Sequence, residues 1–299
     1  MGIPRILLVC LVGTWLTTFS GPLLANHRAT VNFNDATVLQ KLLNPQLPII
    51  VRQHAARQAM QFARQGDERA QFVLGSLYMW GTRNPGSPML RDPGKAELLL
   101  ANAAVHGPDA VLAMAAMAEL ELAEKRPLQA TIWAEMYANY SQVAGVQLNG
   151  YAAELLLRCF RLLPPGSMGI VRRDQQSLVA RFDHTIRAGI KPTQVPGKSI
   201  LHFLPHAQLY IDSSLPAVAL SKPIPKAGLA VYFAVFGPDG RVQGFWLVNA
   251  FPQIGLGRQL RASVFQLRVS GGQPEADGNR YALIPIVFSD GRYSLAHVK

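Results

Sequence analysis

Two histidines four residues apart, His202 and His206, are the first candidates for chemistry in this chain. On a helix, this spacing places both imidazoles on one face, where they could bind a metal ion. Pro205 lies between them and argues against a helix, and no cysteine or acidic run nearby completes a set of ligands. We therefore predict no metal site and interpret the pair as surface histidines.

A second candidate is the phrase Gly255-Leu256-Gly257, which stands between a predicted strand and a predicted helix. In that position glycines can let backbone amides surround a phosphate group. Leu260 occupies the place of the third glycine, however, and the surrounding pattern is not strand, helix and parallel strand. We predict a structural turn here and no cofactor.

Side chains for nucleophilic or acid–base catalysis are not grouped in the sequence. Cys159 lies in the apolar stretch from Leu155 to Leu163, which predicts a buried thiol, and no Gly-x-Ser-x-Gly phrase occurs. The helical glutamates are interpreted as solvated or as paired with Lys95 or Lys125; they are Glu97, Glu119, Glu121, Glu124 and Glu135. We therefore predict that the protein is not an enzyme.

Composition indicates a folded protein with a basic surface. The chain has 299 residues, of which 49% are apolar and 16% charged, which is ordinary for globular proteins and enough for two domains. The formal charge of +11 favours contact with an anionic partner, whether nucleic acid, acidic lipid or an acidic cell wall. The compartment decides between these.

The first residues predict export. Arg5 precedes an apolar run from Ile6 to Phe19, then Gly21-Pro22 breaks the run before Ala25. This pattern is typical of a signal peptide over residues 1–25, cleaved to give a periplasmic protein. An uncleaved inner-membrane anchor is the alternative. Export argues against a nucleic-acid partner in either case.

Residues 49–188 show helical periodicity. They are rich in Ala, Leu, Gln, Met and Glu, with apolar residues three and four apart and short breaks between the segments. The preceding residues, 26–48, predict at most a lead-in helix around an apolar cluster at Val38, Leu39, Leu42 and Leu43.

One helical phrase is partly repeated along this region. Its residues resemble a Sel-one-like repeat, a relative of tetratricopeptide repeats: Ala70-Gln71, Leu74-Gly75, Tyr78, Gly81, Asp92, Lys95-Ala96, Ala103-Ala104, Gly107 and Ala110. A degraded second copy runs from Ala110 to Tyr137. The resemblance implies an all-α solenoid of stacked helical hairpins with a short groove for a partner. Asp92 before Pro93 predicts a helix N-cap with proline at the first helical position.

The pattern changes after the helices. Six prolines punctuate residues 189–228, which predicts a linker. Its apolar patches, Ile200 to Leu204 and Leu209 to Ile211, either add a short strand or lie against a neighbouring domain. Residues 229–236 and 241–249 then read as a β-hairpin around Gly237-Pro238-Asp239-Gly240. A helix near 256–264 and a last strand over 280–288 complete a small α+β unit within residues 229–299.

This β-β-α-β order is similar to the C-terminal domain of TonB proteins. The residues that carry the resemblance are Gly237, Asp239-Gly240-Arg241-Val242, Arg261-Ala262, Pro285-Ile286 and Phe288. Two phrases usual in that family are replaced here, and the long Glu-Pro and Lys-Pro spacer upstream of the domain is absent. The resemblance implies binding to outer-membrane receptors.

Partner-binding residues are predicted on both units. The large amphipathic side chains of the helices are Trp80, Trp133 and Tyr137, with a core role as the alternative. On the final strand they are Arg280, Tyr281, Ile284 and Ile286, which would accept an extended partner strand if this strand lies at the sheet edge.

Together these patterns predict a multidomain protein, with an all-α repeat solenoid followed by a small TonB-like α+β domain. The predicted function is non-enzymatic binding of envelope proteins, with electrostatic contact to an anionic cell wall or membrane surface. The alternatives are a role in energised transport across the outer membrane and a cell-wall-associated enzyme.

Overall fold

Helices occupy the N-terminal part of the chain and a small antiparallel sheet lies in its C-terminal part, as the sequence predicts. The computed structural model describes residues 34–144, 150–190, 200–204, 225–271, 274–275, 277–289 and 292–295. The predicted signal peptide, His206, the start of the lead-in segment and most of the predicted linker lie outside these residues.

The helical region comes first. Its helices are α1 (Asn34–Leu43), α2 (Ile49–Arg64), α3 (Glu68–Trp80), α4 (Pro93–Val105), α5 (Ala110–Ala123), α6 (Pro127–Val143), α7 (Gly150–Leu162) and α8 (Met168–Ile190), with a 3₁₀ turn at Gly81–Arg83. The lead-in helix is confirmed as α1, because its predicted apolar cluster is buried. Among the described residues, no helix has the length and apolarity needed to span a bilayer.

Local sequence signals account for where the helices begin. The carboxylate of Asp67 accepts a hydrogen bond of 2.6 Å from the Ala70 amide and caps α3. Asp92 accepts one of 3.0 Å from the Lys95 amide, with Pro93 at the first position of α4. The predicted N-cap at Asp92 is therefore confirmed.

From α1 to α7 each helix packs against the next along the chain, whereas α8 packs against α4, α5 and α6, and small residues fill the contacts. In addition, α5 contacts both α3 and α7. Fully buried alanines, among them Ala96, Ala104, Ala113 and Ala116, let the helix backbones approach closely. The predicted helical region is confirmed, while its assignment to a repeat family stays a prediction.

The sheet follows the helices. Strands β2 (Ala227–Phe236), β3 (Val242–Phe251), β5 (Arg280–Ser289) and β6 (Arg292–Leu295) form an antiparallel sheet in the order β3-β2-β5-β6. A separate antiparallel pair joins β1 (Ile200–Phe203) to β4 (Leu267–Ser270). The predicted helix over 256–264 is divided into α9 (Leu256–Gln259) and α10 (Arg261–Val264). The hairpin and the short strand near residue 200 are confirmed.

The position of the last predicted strand differs from the expectation. Strand addition was expected only if 280–288 lies at a sheet edge, but β5 lies between β2 and β6. Its residues Ile286 to Ser289 pair with β6, and β6 was not predicted. This pairing occupies the backbone groups that an added partner strand would need in that half of β5.

Both faces of the central strand β2 are buried. Leu229, Val231, Phe233 and Val235 join an apolar cluster shared with the helices α1 to α8. The alternate residues, including Tyr232 and Phe236, pack with α9 and α10. Because strand side chains alternate between faces, one face of the sheet is covered by the helical region and the other by the short helices. The face made by α3, α5 and α7 thus holds part of the chain's own sheet.

Candidate functional site

A cavity of about 270 Å³ lies where the helical region meets the sheet. We call it the seam cavity; its lining residues are Met79, Trp80, Arg83, Arg91, Glu119, Leu122, Ala123, Arg158 and Pro252. They come from α3, α5 and α7, from the segment between α3 and α4, and from the residue after β3. The packing of α3, α5 and α7 side by side therefore creates the cavity.

A glycine at the end of α3 positions one wall. Gly81 has a φ of +55°, which favours glycine, and a Cβ built on it would lie 2.3 Å from the Arg91 amide nitrogen. The Asp92 amide donates a hydrogen bond of 2.9 Å to the carbonyl of Tyr78. Both contacts hold the backbone of Arg91 against the end of α3.

Trp80 forms a fixed apolar wall of the seam cavity. Its indole Nε1–H donates to Oδ1 of Asn249 on β3, and Nδ2 of Asn249 donates to Oγ of Ser76 at 2.9 Å. Asn249 and Ser76 are fully buried. Nearby, Nδ2 of Asn84 donates to the carbonyl of Val248 at 2.9 Å. These bonds join the 3₁₀ turn and α3 to β3, so the ring of Trp80 is held in place.

A buried ion pair crosses the base of the cavity. Nη1 of Arg158 donates to Oε2 of Glu119 at 2.9 Å, and Nη2 of Arg158 donates to Oε1. The hydroxyl of Tyr151 donates to the same Oε1 at 3.0 Å. Burial, with the nearby Glu119 carboxylate, raises the pKa of Tyr151 well above its usual value, so this phenol stays a donor. Both oxygens of Glu119 thus accept hydrogen bonds, which hold its carboxylate against Arg158 and Tyr151.

The remaining charges at the cavity are basic. Arg91 pairs with Glu124, which lies outside the lining. Arg83 is exposed and makes no ion pair with a described residue. Nε of Arg158 makes no hydrogen bond with a described residue either. Because Glu124 and Glu119 compensate Arg91 and Arg158, the charge of Arg83 leaves the cavity with a net positive charge, which attracts an anion.

The glutamate prediction is wrong for two residues. Glu119 and Glu121 were interpreted as solvated or paired with lysines, but they are buried and paired with Arg158 and Arg126. Nε of Arg126 lies 2.6 Å from Oε2 of Glu121. The α5 helix is otherwise so apolar that a charged side chain on it is enclosed by neighbouring helices. An acidic residue inside such a run is the sequence signal that was missed.

The predicted partner-binding residues of the helices occupy different settings. Trp80 lines the seam cavity. Tyr137 is buried and its ring meets that of Tyr151 edge-on, with centroids 5.8 Å apart. Trp133 is half-buried against the shared core. Of these three residues, the structure places only Trp80 at the cavity.

The predicted residues on β5 lie away from the seam cavity. Ile284 and Ile286 are fully buried against the short helices. Tyr281 stacks on Phe233 at 6.0 Å between centroids and donates a hydrogen bond to Asp277. Arg280 is half-buried at the start of the strand. The structure does not bring this group together with Trp80.

The residues considered for metal, phosphate and thiol chemistry lie in ordinary secondary structure. His202 lies on strand β1, not on a helix. In the phrase 255–257, Leu256 and Gly257 are buried in a helix of four residues. Cys159 is buried, which confirms the predicted buried thiol, and this burial raises its pKa to about 12. Within the described residues, no group of three His, Cys, Asp or Glu side chains could hold a metal ion.

Arg83, Arg91 and Arg158 were not predicted as site residues. They lie on different elements, up to 75 residues apart in the numbering, so only the packing of α3 and α7 on either side of α5 brings them together. Comparison with protein-family models, with curated proteins and with solved structures finds no match for this chain.

Proposed function

We propose that this chain is a non-enzymatic protein of the cell envelope that binds another protein, and that the seam cavity receives an acidic side chain of that partner. The observation that carries the proposal is the excess of arginine over carboxylate in the cavity lining. The envelope location rests on the apolar N-terminal run of the sequence.

The size of the cavity favours a side chain over a cofactor. Its volume of about 270 Å³ lies below the range of roughly 300–1,000 Å³ that is typical of small-molecule sites. One or two side chains fit this space. Trp80, Met79 and Leu122 would contact the methylene groups of an entering Asp or Glu, and the guanidinium groups would bind its carboxylate.

The polarity of the lining supports binding rather than turnover. Glu119 is the lining carboxylate, and both of its oxygens accept hydrogen bonds from Arg158 or Tyr151. These bonds hold the carboxylate against Arg158 and Tyr151, and charge repulsion keeps an entering ligand's carboxylate away from it. The cavity therefore offers fixed donors and apolar walls, which is the composition of a recognition site.

The packing of the sheet also bears on where a partner binds. The face of α3, α5 and α7 contacts the chain's own strands, so an extended groove along these helices is partly filled. The internal position of β5 removes the strand-addition route over 286–289. Both features favour the seam cavity over the two surfaces suggested by the family resemblances.

Site-specific crosslinking tests the proposal. A photo-crosslinking amino acid would replace Arg83 at the cavity or, as a matched control, the exposed Arg57 on α2. We expect a discrete crosslinked protein from position 83 in intact cells and none from position 57. Equal crosslinking from both positions would count against the seam cavity.

Affinity measurements on the captured partner complete the test. Arg83→Gln should weaken binding about tenfold or more, because it removes a charge-assisted hydrogen bond. Arg57→Gln should leave the Kd within about twofold, and rising salt should weaken binding to the native chain. An unchanged Kd for Arg83→Gln, or turnover of an envelope substrate, would overturn the proposal.

A further inference from the structure

The last turn of α7, the first turn of α8 and the segment between them expose apolar side chains. Phe160, Leu162 and Ile170 are 42%, 61% and 41% exposed, and Pro164 and Pro165 between them are exposed as well. A solvated turn is usually polar, so this set of exposed apolar groups marks a contact surface. We call residues 160–173 the α7–α8 tip.

The tip is firmly held by its base. Cys159 on α7 and Val171 on α8 are fully buried in the shared core. The Val171 amide donates to the carbonyl of Ser167 at 3.1 Å, which begins α8 directly after the turn. The backbone on both sides of the exposed residues is therefore anchored in the core.

The charges at the tip are all positive. Residues 160–173 contain Arg161, Arg172 and Arg173 and no acidic residue. Arg161 makes no ion pair with a described residue, whereas Arg173 pairs with Asp174 at 3.0 Å and Arg172 lies near Glu135. An apolar projection with cationic side chains around it is the composition of surfaces that bind anionic bilayers.

We propose that the α7–α8 tip docks onto an anionic lipid surface. Phe160, Leu162 and Ile170 enter the boundary between headgroups and acyl chains, and Arg161 and Arg172 bind lipid phosphates. The tip combines exposed apolar side chains with the cation of Arg161, which makes no ion pair with a described residue, and this pairing of apolar and positive groups matches the acyl chains and phosphates of an anionic bilayer. This inference goes beyond the proposed function, because the tip residues do not line the seam cavity.

Vesicle binding by the full chain tests this surface. The vesicles are equal parts phosphatidylglycerol and phosphatidylcholine, or phosphatidylcholine alone. We expect Phe160→Ser with Leu162→Ser and Ile170→Ser to reduce partitioning to the anionic vesicles at least tenfold. The matched control combines Ile50→Ser, Leu90→Ser and Leu98→Ser, which are at least as exposed but lie elsewhere, and should stay within about twofold. Arg161→Gln should reduce partitioning about fivefold.

A second measurement tests whether the tip itself enters the bilayer, independently of any other part of the chain that binds vesicles. Leu162→Trp should add fluorescence that brominated lipids quench in anionic vesicles, whereas Leu90→Trp should add fluorescence that they do not quench. Equal partitioning of the two serine triples, equal quenching at 162 and 90, or binding that ignores lipid charge would overturn the proposal. Dimerisation abolished by the tip triple, without vesicle binding, would assign the surface to a protein contact instead.

Discussion

The indole nitrogen of Trp80 donates a hydrogen bond of 2.5 Å to Oδ1 of Asn249, across 169 positions of the sequence. Asn249 is fully buried and its amide nitrogen donates to Ser76, so one asparagine side chain bonds twice to α3. Polar groups buried at such a junction fix the relative position of the elements that carry them. The seam cavity therefore depends on Asn249, although this residue does not line it.

Asn249→Ala should destabilise the protein by about 1–3 kcal/mol, because it leaves the buried partners on α3 without hydrogen bonds. Gln243→Ala, on the exposed start of the same strand, should change the free energy of unfolding by no more than about 0.5 kcal/mol. Urea unfolding followed by tryptophan fluorescence measures both. Equal effects of the two substitutions would contradict the role of the junction.

Arg158→Met should cost about 3–5 kcal/mol of stability, since it leaves the Glu119 carboxylate buried without its cation. Adding Glu119→Gln removes that charge and keeps an acceptor for the Tyr151 hydroxyl. The double variant should regain most of the loss in urea unfolding. A double variant as unstable as the sum of the single changes would show that the two residues do not act as a pair.

Cys159 should resist thiol reagents in the native protein, because burial raises its pKa to about 12 and excludes the reagent. Labelling with iodoacetamide near neutral pH, read by mass spectrometry at this residue, should be negligible until denaturant unfolds the chain. Rapid labelling of native protein would place the thiol at the surface and disagree with the packing of α7.

The stability of the protein should depend on the protonation of Glu121. Burial raises the pKa of Glu121 to about 7, Glu97 and Glu124 add to the rise, and Arg126 opposes it. Because the folded state holds this proton more tightly than the unfolded chain, the contribution is complete below about pH 4.5. It falls as the pH rises through 7, by up to about 3 kcal/mol.

Glu121→Gln should remove this dependence. Relative to the native sequence, the variant should gain stability as the pH is raised from about 4.5 to 8, as measured by urea unfolding at each pH. Parallel stability curves for the two proteins would contradict the raised pKa.

Much of the fold could be predicted because its signals are local. The Asp92-Pro93 cap and the hairpin turn at 237–240 depend on neighbouring residues alone. The burial of both faces of β2 was also readable, since Leu229 to Phe236 is apolar throughout, which is typical of a strand covered on both sides. We predicted residues 229–236 only as one strand of a hairpin, and the contact of this strand with the helices was therefore not foreseen.

The candidate site could not be predicted because its contacts are distant in sequence. Glu119 and Arg158 are separated by 39 positions, and their pairing requires α5 and α7 to stack in one register. A buried acid in α5 was predictable from its apolar surroundings, but its partner was not, since the sequence offers many arginines. Tertiary packing selects one of them.

Gly81→Ala should disturb the seam cavity without touching a charged group. Alanine is strained at a φ of +55°, and its Cβ would meet the backbone of Arg91, so we expect a loss of about 1–3 kcal/mol and a displaced Arg91. Gly94→Ala on α4 is the matched control, because its Cβ would meet only Asp92 Oδ1 at 3.7 Å. This control should be neutral or stabilise the helix by up to about 1 kcal/mol. In Gly81→Ala alone, both the free energy of unfolding in urea and the affinity for the partner should fall. A normal Kd in that variant would show that the position of Arg91 does not govern binding.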